Sequence, residues 1–364
     1  MNLPMSVSFD FKKVSDLICP NCKSKGLDIF YSVKSIPVHS CLLMSTREQA
    51  LNYPRGDLRL GFCHQCGFVT NTLFDPQTND YSIQYEETQG FSSHFNAFAK
   101  LLAQRIIDRY NIRNQTVLEI GCGKGDFLAL MCQLGKNKGI GIDPAFVPQR
   151  NPSKGVDITF IQDLYSEKYM DIKADVICCR HTLEHIAPTY DFMNLVRSTI
   201  GNNNNVLVFC ELPDVFRVLQ EGAFWDIYYE HCSYFAAGSL IRLFRSTGFT
   251  VDDLYLDYND QYIMITAYPA DSQVTGQSPI KDEMKQMTSA FENFKTACSQ
   301  KLNYWKTLID RTIEEDRKIV IWGGGSKGVA FLTTLNIGDA IEYVVDINPF
   351  KQGKFMPGTG KKVV

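Results

Sequence analysis

The sequence predicts an α/β protein in which a parallel sheet covered by helices lies between a cysteine-rich block and a second, apparently short α/β unit. Short apolar strands alternate with helical patterns between residues 116 and 269. Two close cysteine pairs occupy the first 75 residues, and a strand, glycine turn and helix recur near the end of the chain. We therefore expect three domains, at residues 1–80, 81–270 and 281–364.

The central block carries five predicted strands and an edge hairpin. Each of the five strands is a short apolar run followed by a helical pattern, which is typical of parallel strands joined by crossover helices. Two further runs with only a short turn between them predict the hairpin. The predicted strands are 117–121, 139–143, 158–162, 175–179, 206–210, 249–256 and 262–268.

The flanking blocks have different patterns. Residues 1–75 are predicted to be mostly irregular, with short strands at 27–33 and 58–62. Residues 269–280 are rich in Pro, Ser, Gln and Gly, which is typical of a linker. Apolar residues then recur every three or four positions and predict one long helix over 281–317.

The composition excludes several classes of function. The 364 residues have a formal charge of -3 and a pI near 6.1, so no general positive field attracts nucleic acid or anionic membranes. No run reaches the roughly 18 to 20 apolar residues of a membrane-spanning helix. The first residues include Asp10 and do not resemble a secretory signal. We expect a cytoplasmic protein with a small-molecule substrate and no membrane partner.

Four of the twelve cysteines form two C-x2-C pairs, Cys19 with Cys22 and Cys63 with Cys66. A two-residue gap lets both thiolates of a pair face one tetrahedral ion, and two such pairs complete a four-cysteine zinc site. His64 lies inside the second pair and is a competing ligand. Because four cysteines leave no open coordination position, we expect a structural Zn²⁺ that helps this block to fold.

A glycine-rich turn follows the first central strand. Glu119 is followed by Gly121, Gly123 and Gly125 at every second position, and a helix begins next. Glycines let the backbone approach a ligand where a side chain would collide. Twenty residues beyond Gly123, Asp143 ends the next strand, where its carboxylate can bind both ribose hydroxyls. The competing interpretation is a dinucleotide site, whose fingerprint is G-x-G-x-x-G.

The spacing of these glycines resembles motif I of the class I S-adenosylmethionine-dependent methyltransferases, which have a Rossmann-like fold. The resemblance implies that S-adenosylmethionine is the cofactor and that Asp143 binds its ribose. It also implies that Asp163, which follows the third strand, binds the adenine amino group. The predicted edge hairpin resembles the antiparallel addition of the same family.

The whole chain resembles the sugar C-methyltransferases of antibiotic deoxysugar pathways, which methylate a carbon beside a ketone on a nucleotide-linked 4-ketosugar. Three features carry this resemblance: the cysteine spacing, the stretch Tyr228-Tyr229-Glu230-His231, and the C-terminal runs 323–328 and 345–354. The resemblance therefore implies a C-methyltransferase with an N-terminal zinc domain and a C-terminal Rossmann-like domain.

Carbon methylation beside a ketone needs a base, a donor to the enolate oxygen and an aligned methyl group. The resemblance implies that His231 is the base, that Glu230 orients it, and that Tyr228 donates to the oxyanion. His185 follows the fourth strand and is expected in the same crevice, and Tyr85 is expected to cover the sulfonium by a cation-π contact. The alternatives are packing roles for the tyrosines and a helix-start role for His185.

The second glycine turn, Gly323-x-Gly325-x-x-Gly328 with Asp346 after the next strand, fits a dinucleotide fingerprint and by itself suggests NAD. The resemblance implies instead that this domain shapes the substrate cleft around a nucleotide. The alternative function is an RNA or protein methyltransferase that uses the zinc block for recognition, which the acidic composition disfavours. A third interpretation is a cofactor-binding scaffold with a dead site, which the intact motifs disfavour.

Overall fold

A computed structural model describes residues 7–78, 81, 84–152, 155–270 and 283–364. Most of the predicted linker, residues 271–280, lies outside these ranges. None of the described helices combines the length and the apolar character that a membrane span requires.

The N-terminal block is an antiparallel sheet, so the expectation of a mostly irregular segment was wrong. Its strands run in the order β1-β3-β4-β5, and β2 pairs with β3. The full length of β3 was not predictable from the sequence. Ser35 has a φ of +55° and the pairing register shifts there, which interrupts the apolar alternation of the strand. The elements are β1 (Val7–Ser8), β2 (Lys12–Ile18), β3 (Lys25–Pro37), α1 (Arg47–Leu51), β4 (Arg55–Phe62) and β5 (Val69–Asn71).

The central block forms the predicted parallel sheet with its edge hairpin, and the largest difference is at β10, which was predicted to end at 210 and ends at Pro213. The elements are α2 (Ser93–Tyr110), β6 (Thr116–Ile120), α3 (Asp126–Gly135), β7 (Lys138–Ile142), β8 (Ile158–Ile161), β9 (Val176–Arg180), α4 (Thr189–Ile200), β10 (Leu207–Pro213), α5 (Val215–Glu221), β11 (Ser233–Tyr234), α6 (Ala237–Ser246), β12 (Phe249–Asp257) and β13 (Tyr262–Pro269).

The strand order of this sheet places a crevice beside the first glycine turn. The order is β12-β13-β10-β9-β6-β7-β8, in which β13 is antiparallel to β10 and the five strands from β10 to β8 are parallel. The chain moves from β6 outward to β8 and then returns to β9 on the other side of β6. Ligands bind outside the carboxyl ends of the strands at such a reversal. The order agrees with the class I methyltransferase fold expected from the motif.

The last block begins with a long helix that joins the cores of the N-terminal and central blocks. Phe291 and Phe294 of this helix pack edge-on against Phe30 of β3, with ring centroids 5.2 and 5.5 Å away. Two parallel strands and a helix then surround the second glycine turn. The elements are α7 (Glu283–Glu314), β14 (Ile319–Trp322), α8 (Ser326–Leu335) and β15 (Ile341–Val345).

The three blocks also share secondary structure. The short strand β11, although it follows β10 in the chain, pairs with β5 and so joins the N-terminal sheet. Phe224, which precedes β11, stacks on Phe331 of α8 with ring centroids 5.7 Å apart. The segment around β11 therefore lies where all three blocks meet, and this segment contains the Tyr228–His231 stretch singled out by its sequence.

Candidate active site

Two positions of the turn between β6 and α3 require glycine. Gly121 and Gly123 have φ values of +70° and +55°, a region that glycine adopts without steric cost. A Cβ atom on Gly121 would lie 2.0 Å from the Thr182 hydroxyl oxygen, and one on Gly123 would lie 2.7 Å from a Glu87 carboxylate oxygen. The turn therefore presents bare backbone to the crevice.

The structure places Asp143 against this turn. Its Oδ2 accepts a hydrogen bond from the Gly123 amide and its Oδ1 accepts one from the Ala145 amide, both at 2.7 Å. Each carboxylate oxygen keeps a further lone pair, so both oxygens remain able to accept ribose hydroxyls. The two amides fix the carboxylate at the end of β7, which suits the predicted cofactor role.

Glu119 lies beneath the turn as a buried carboxyl group. It is 2% exposed, and its Oε2 has no hydrogen-bond partner within the described ranges. Burial raises its pKa to about 8, and the nearby Arg180 opposes that shift. A buried carboxyl oxygen without a hydrogen-bond partner destabilises the folded state. The glycine turn and the Glu119 carboxyl group together therefore suit a cofactor that has polar groups of its own.

Asp163 is placed differently from Asp143. Its carboxylate binds Lys168 at 2.8 Å and the Tyr169 hydroxyl at 2.5 Å, and these bonds lower its pKa to about 2. The side chain is 41% exposed at the rim of the cavity. An adenine amino group would compete there with Lys168, so the adenine role stays a prediction.

Lys124, inside the glycine run, was missed by the sequence analysis. Its ammonium group donates to the carbonyls of Tyr85 and Ala145 at 2.7 and 2.8 Å, and lies 3.3 Å from the Glu87 carboxylate. Lys124 thereby holds the segment before α2 over the glycine turn. The lysine within the glycine run was the sign of this role in the sequence. Its hydrogen-bond partners, however, lie 21 to 39 residues away in the chain.

An aromatic cluster joins Tyr85 to the histidines of the site. The Tyr85 ring packs edge-on against His39 and Tyr81, with centroids 4.9 and 5.5 Å away. The Tyr81 hydroxyl lies 2.8 Å from His185 Nδ1, which is also 3.2 Å from the Glu230 carbonyl oxygen. Tyr85 and His185 therefore line one cavity, as the resemblance implies, and His39 and Tyr81 are additions to the expected set.

His231 is buried between aromatic rings. Its ring centroid is 4.1 Å from that of Tyr228 and 4.6 Å from that of His185. Burial and the neighbouring His185 hold the pKa of His231 well below its usual range, and burial raises the pKa of Tyr228 well above its own. At neutral pH the imidazole is thus an acceptor and the phenol remains a donor.

The Glu230 carboxylate does not orient His231, which corrects the expected pairing. Its Oε1 accepts hydrogen bonds from the Ser40 amide at 3.0 Å and from the Ser40 hydroxyl, and it lies 3.8 Å from His39 Nδ1. Burial raises the pKa of Glu230 to about 7. The side chain faces residues 39 and 40 of the N-terminal block, and nothing local in the sequence indicates this contact.

A chain of buried charges begins at the end of β9. Glu211 of β10 accepts hydrogen bonds from Arg180 and, at 3.1 Å, from His181. Burial lowers the pKa of His181, but Glu211 and Glu184 outweigh it and raise that pKa to about 9. The sequence analysis gave Arg180 and His181 no chemical role, and it missed Glu211 and Glu184.

One cavity of about 1330 Å³ connects these groups. It extends from Gly121 and Asp143, past His185 and His231, to Lys327 at the second glycine turn. A single small ligand usually occupies about 300 to 1,000 Å³. The cavity therefore has room for a cofactor at one end and a second molecule that reaches the C-terminal block.

The four predicted metal ligands converge at the edge of the N-terminal sheet. The Sγ atoms of Cys19 and Cys66, and those of Cys22 and Cys63, lie 3.7 Å apart, and all four fall within 4.8 Å of one another. The competing ligand His64 instead bonds the Asp28 carboxylate at 2.8 Å. Cys66 is tied to the central block because its carbonyl accepts a hydrogen bond from Arg242 at 2.9 Å.

Two protein-family models and one known methyltransferase match large parts of this chain. A family model described as a methyltransferase domain matches residues 91–254, and one described as a C-methyltransferase C-terminal domain matches residues 272–364. The C-methyltransferase NovU of Streptomyces niveus is 26% identical over 319 residues, which are 82% of this chain and 73% of that protein.

Solved structures of other methyltransferases resemble the central block. One is the 1,6-didemethyltoxoflavin-N1-methyltransferase of Burkholderia thailandensis, with a TM-score of 0.37 and 16% identity over 48% of this chain and 79% of the other. Another is the magnesium protoporphyrin IX methyltransferase of Synechocystis, with a TM-score of 0.38 and 12% identity over 48% and 84%. The match to the methyltransferase domain, on a sheet of class I order, makes this chain an S-adenosylmethionine-dependent methyltransferase.

Proposed function

We propose that the protein is a C-methyltransferase that acts on a carbon beside a ketone, in a nucleotide-linked ketosugar or a similar small carbonyl metabolite. The observation that carries the proposal is the neutral, buried His231, whose ring packs against Tyr228 and His185 in the cavity that contains the glycine turn. Transfer to oxygen or nitrogen uses a lone pair already present, whereas transfer to carbon needs a base to create one.

His231 is suited to remove the α-proton. Its burial favours the neutral imidazole, so a nitrogen lone pair is available at neutral pH. The proton moves from the substrate carbon to this nitrogen, and the electron pair of the broken C–H bond forms the enolate. General-base catalysis of this kind contributes about 10² to 10⁴-fold in rate.

Tyr228 is suited to stabilise the enolate oxygen. Burial keeps its hydroxyl protonated, and its ring lies directly beside that of His231. A preorganised donor in a site that excludes water stabilises developing negative charge strongly. Base and donor therefore lie on adjacent rings, as abstraction of a proton beside a carbonyl group requires.

The cofactor would lie at the other end of the cavity. Gly121, Gly123 and Asp143 would hold its amino acid and ribose parts, and Tyr85 would cover its sulfonium. When bound, S-adenosylmethionine supplies an electrophilic methyl group and leaves as S-adenosylhomocysteine. The methyl group forms its new bond to the enolate carbon, so the number of substrate C–H bonds lost equals the number of methyl groups gained.

Two comparisons support the choice of carbon and of a small substrate. The C-terminal block matches a model named for C-methyltransferases, and NovU bears the same description. The nucleotide part rests on the extent of the cavity, which Lys327 and Lys351 line next to the second glycine turn. Each lysine is paired with an aspartate, Asp226 at 2.9 Å and Asp346 at 3.6 Å, and a pyrophosphate would share these two ammonium groups.

The test is turnover on a panel of nucleotide-linked 4-ketosugars with zinc-loaded protein. We expect release of S-adenosylhomocysteine and a new methyl group on carbon, located by nuclear magnetic resonance. The variant His231→Asn should bind S-adenosylhomocysteine normally and lose at least about 10²-fold in turnover. Methylation on oxygen or nitrogen, or a His231→Asn enzyme that stays fast, would refute the proposal.

We also propose that the four cysteines bind one structural Zn²⁺. A tetrahedral site with Zn–S bonds of about 2.3 Å needs sulfur atoms about 3.8 Å apart, close to the 3.7 Å of the two measured pairs. We expect one zinc per chain by elemental analysis. The double variant Cys19→Ser/Cys63→Ser should lose the zinc and melt at a lower temperature, whereas Cys298→Ser, which changes a buried thiol of α7, should keep the metal.

A further inference from the structure

A second buried carboxylate faces the histidine pair. Glu184 lies in a single 3-10 turn, Leu183–His185, directly after β9. It is 3% exposed, and its Oε2 has no hydrogen-bond partner in the part of the chain that the structure describes. One carboxylate oxygen of Glu184 and one ring nitrogen each of His185 and His231 lie within 4.8 Å of one another.

Glu184 is held in place from its other side. Its Oε1 lies 3.7 Å from His181 Nδ1, and His181 is in turn bonded to Glu211 at 3.1 Å. The backbone carbonyl of Glu184 accepts a hydrogen bond from the Cys232 thiol at 3.7 Å. The turn is thus bonded to the residue that follows His231.

The other carboxylate near His231 is bonded through one of its oxygens, while its Oε2 has no hydrogen-bond partner among the described residues. Glu230 accepts two hydrogen bonds from Ser40 and faces His39. Among the described residues, no carboxylate forms an ion pair within 4.0 Å of the His231 ring. Burial lowers the pKa of His185, and Glu184 is the leading group that opposes this shift. Electrostatically, Glu184 therefore favours a proton on His185, and it lies within 4.8 Å of His231 as well.

We propose that Glu184 is the positioning residue that stabilises the imidazolium formed when His231 takes the α-proton. This inference rests on the proposed function, in which His231 is the base. The proton passes from the substrate carbon to His231 and later to water, and Glu184 takes no part in the transfer itself. The ring of His185 packs against that of His231, with centroids 4.6 Å apart.

The sign of the pH effect follows from the groups that face His231. Positive charge on His185, His181 and Lys327 disfavours its protonation, and burial acts in the same direction. The aromatic rings of Tyr228 and Tyr234 pack against it. The Glu184 carboxylate lies within 4.8 Å of a His231 ring nitrogen, so by Coulomb attraction its removal would make the imidazolium less stable. The base then becomes weaker, and its protonation occurs at lower pH.

The experiment compares Glu184→Gln with Glu230→Gln, each of which replaces a buried carboxyl group near His231 by an amide. For Glu184→Gln we expect kcat to fall about 100-fold while KM and the affinity for S-adenosylhomocysteine stay within about twofold. The acidic limb of the kcat/KM profile should move down by about one pH unit or more. A substrate deuterated at the α-carbon should show a larger isotope effect than with the unaltered enzyme.

Two controls keep the outcome interpretable. Glu184→Asp retains the charge and should restore the position of the acidic limb, even where its rate is lower. Glu230→Gln is expected to slow turnover without moving that limb. An unshifted limb in Glu184→Gln, or the same shift in both Gln variants, would overturn the inference.

A separate measurement distinguishes this inference from the proposed function. Exchange of the substrate α-proton with D2O, in the presence of S-adenosylhomocysteine, reports the base alone. If His231→Asn still catalyses exchange, the proposed base is wrong. If His231→Asn abolishes exchange while Glu184→Gln exchanges at the normal rate, the base is right and the role of Glu184 is wrong.

Discussion

The two glycine turns of the chain are built alike and differ in what surrounds them. Each follows a strand, opens a helix, and donates a backbone amide to an aspartate at the end of the next strand. The Gly123 amide bonds Asp143 Oδ2 and the Gly324 amide bonds Asp346 Oδ2, both at 2.7 Å. The same strand, glycine turn and helix therefore occur twice in the chain, and this backbone arrangement does not by itself specify a ligand.

The surroundings separate the two turns. Within the described ranges Asp143 forms no ion pair, and the orphaned carboxyl group of Glu119 lies nearby. Asp346 lies 3.6 Å from the buried ammonium of Lys351, so its charge is already compensated. The strand before the second turn ends at Trp322, which is 77% exposed. Among the described residues, the aspartate at the first turn therefore has no ion-pair partner, whereas the aspartate at the second turn has one.

The largest contrast is expected from Gly121→Ala and Gly324→Ala. At Gly121 the new Cβ collides with Thr182, and its φ of +70° strains any other residue, together about 2 to 4 kcal/mol. We expect at least a 30-fold loss of affinity for S-adenosylhomocysteine by calorimetry, at about that energy. At Gly324 the nearest atom is 3.2 Å away, and affinity should stay nearly unchanged. Equal losses would show that the turns share one role.

A direct ligand comparison should separate the turns further. S-adenosylhomocysteine at 100 times its Kd should stabilise the fold by about 2.7 kcal/mol, which raises Tm by roughly 5 °C or more. NAD at the same concentration should leave Tm unchanged. A rise with NAD that Gly324→Ala abolishes would assign dinucleotide binding to the second turn.

The aspartates provide a matched pair with a smaller effect. Asp143→Ala removes a charged acceptor for the ribose, at about 1.5 to 3 kcal/mol, and should weaken S-adenosylhomocysteine binding about 10- to 100-fold. Asp346→Ala removes the same group at the second turn and should change that affinity less than twofold. Unchanged binding by Asp143→Ala would reject the cofactor pocket.

The smallest expected effect is at Lys351. Lys351→Ala removes from the substrate end of the cavity one buried charge that Asp346 already partly neutralises. We expect KM for a nucleotide-linked ketosugar to rise about fivefold, with affinity for S-adenosylhomocysteine unaffected. If KM instead falls, loss of Lys351 has freed the Asp346 carboxylate, and this carboxylate improves substrate binding. The substrate then does not present an anion to this end of the cavity.

Features set by short stretches of chain were predictable. The spacing of Cys19 and Cys22 places two thiols on one turn, and the spacing of Gly121 and Gly123 requires a backbone without side chains. The apolar strands of the central sheet were likewise visible because burial on both faces leaves continuous apolar runs. Strand β3 was only partly visible because the irregularity at Ser35 interrupts its alternation.

Contacts between distant residues were not predictable. Ser40 and Glu230 are 190 positions apart, and their hydrogen bond turns the carboxylate away from His231. Lys124 binds carbonyls in two other segments, and Glu184 meets His231 because its turn is bonded to Cys232. No periodicity or spacing encodes such pairs, since each depends on how separate elements pack.

The sequence by itself determined the fold class, the glycine turn and the spacing of the cysteines, because residue type and local spacing carry those properties, and the family resemblance supplied His231 as the proposed base. Only the tertiary structure decided which carboxylates lie near His231 and which glycine turn faces an aspartate without an ion pair among the described residues. Both depend on charge and burial, and a side chain acquires these from neighbours that are remote in the chain.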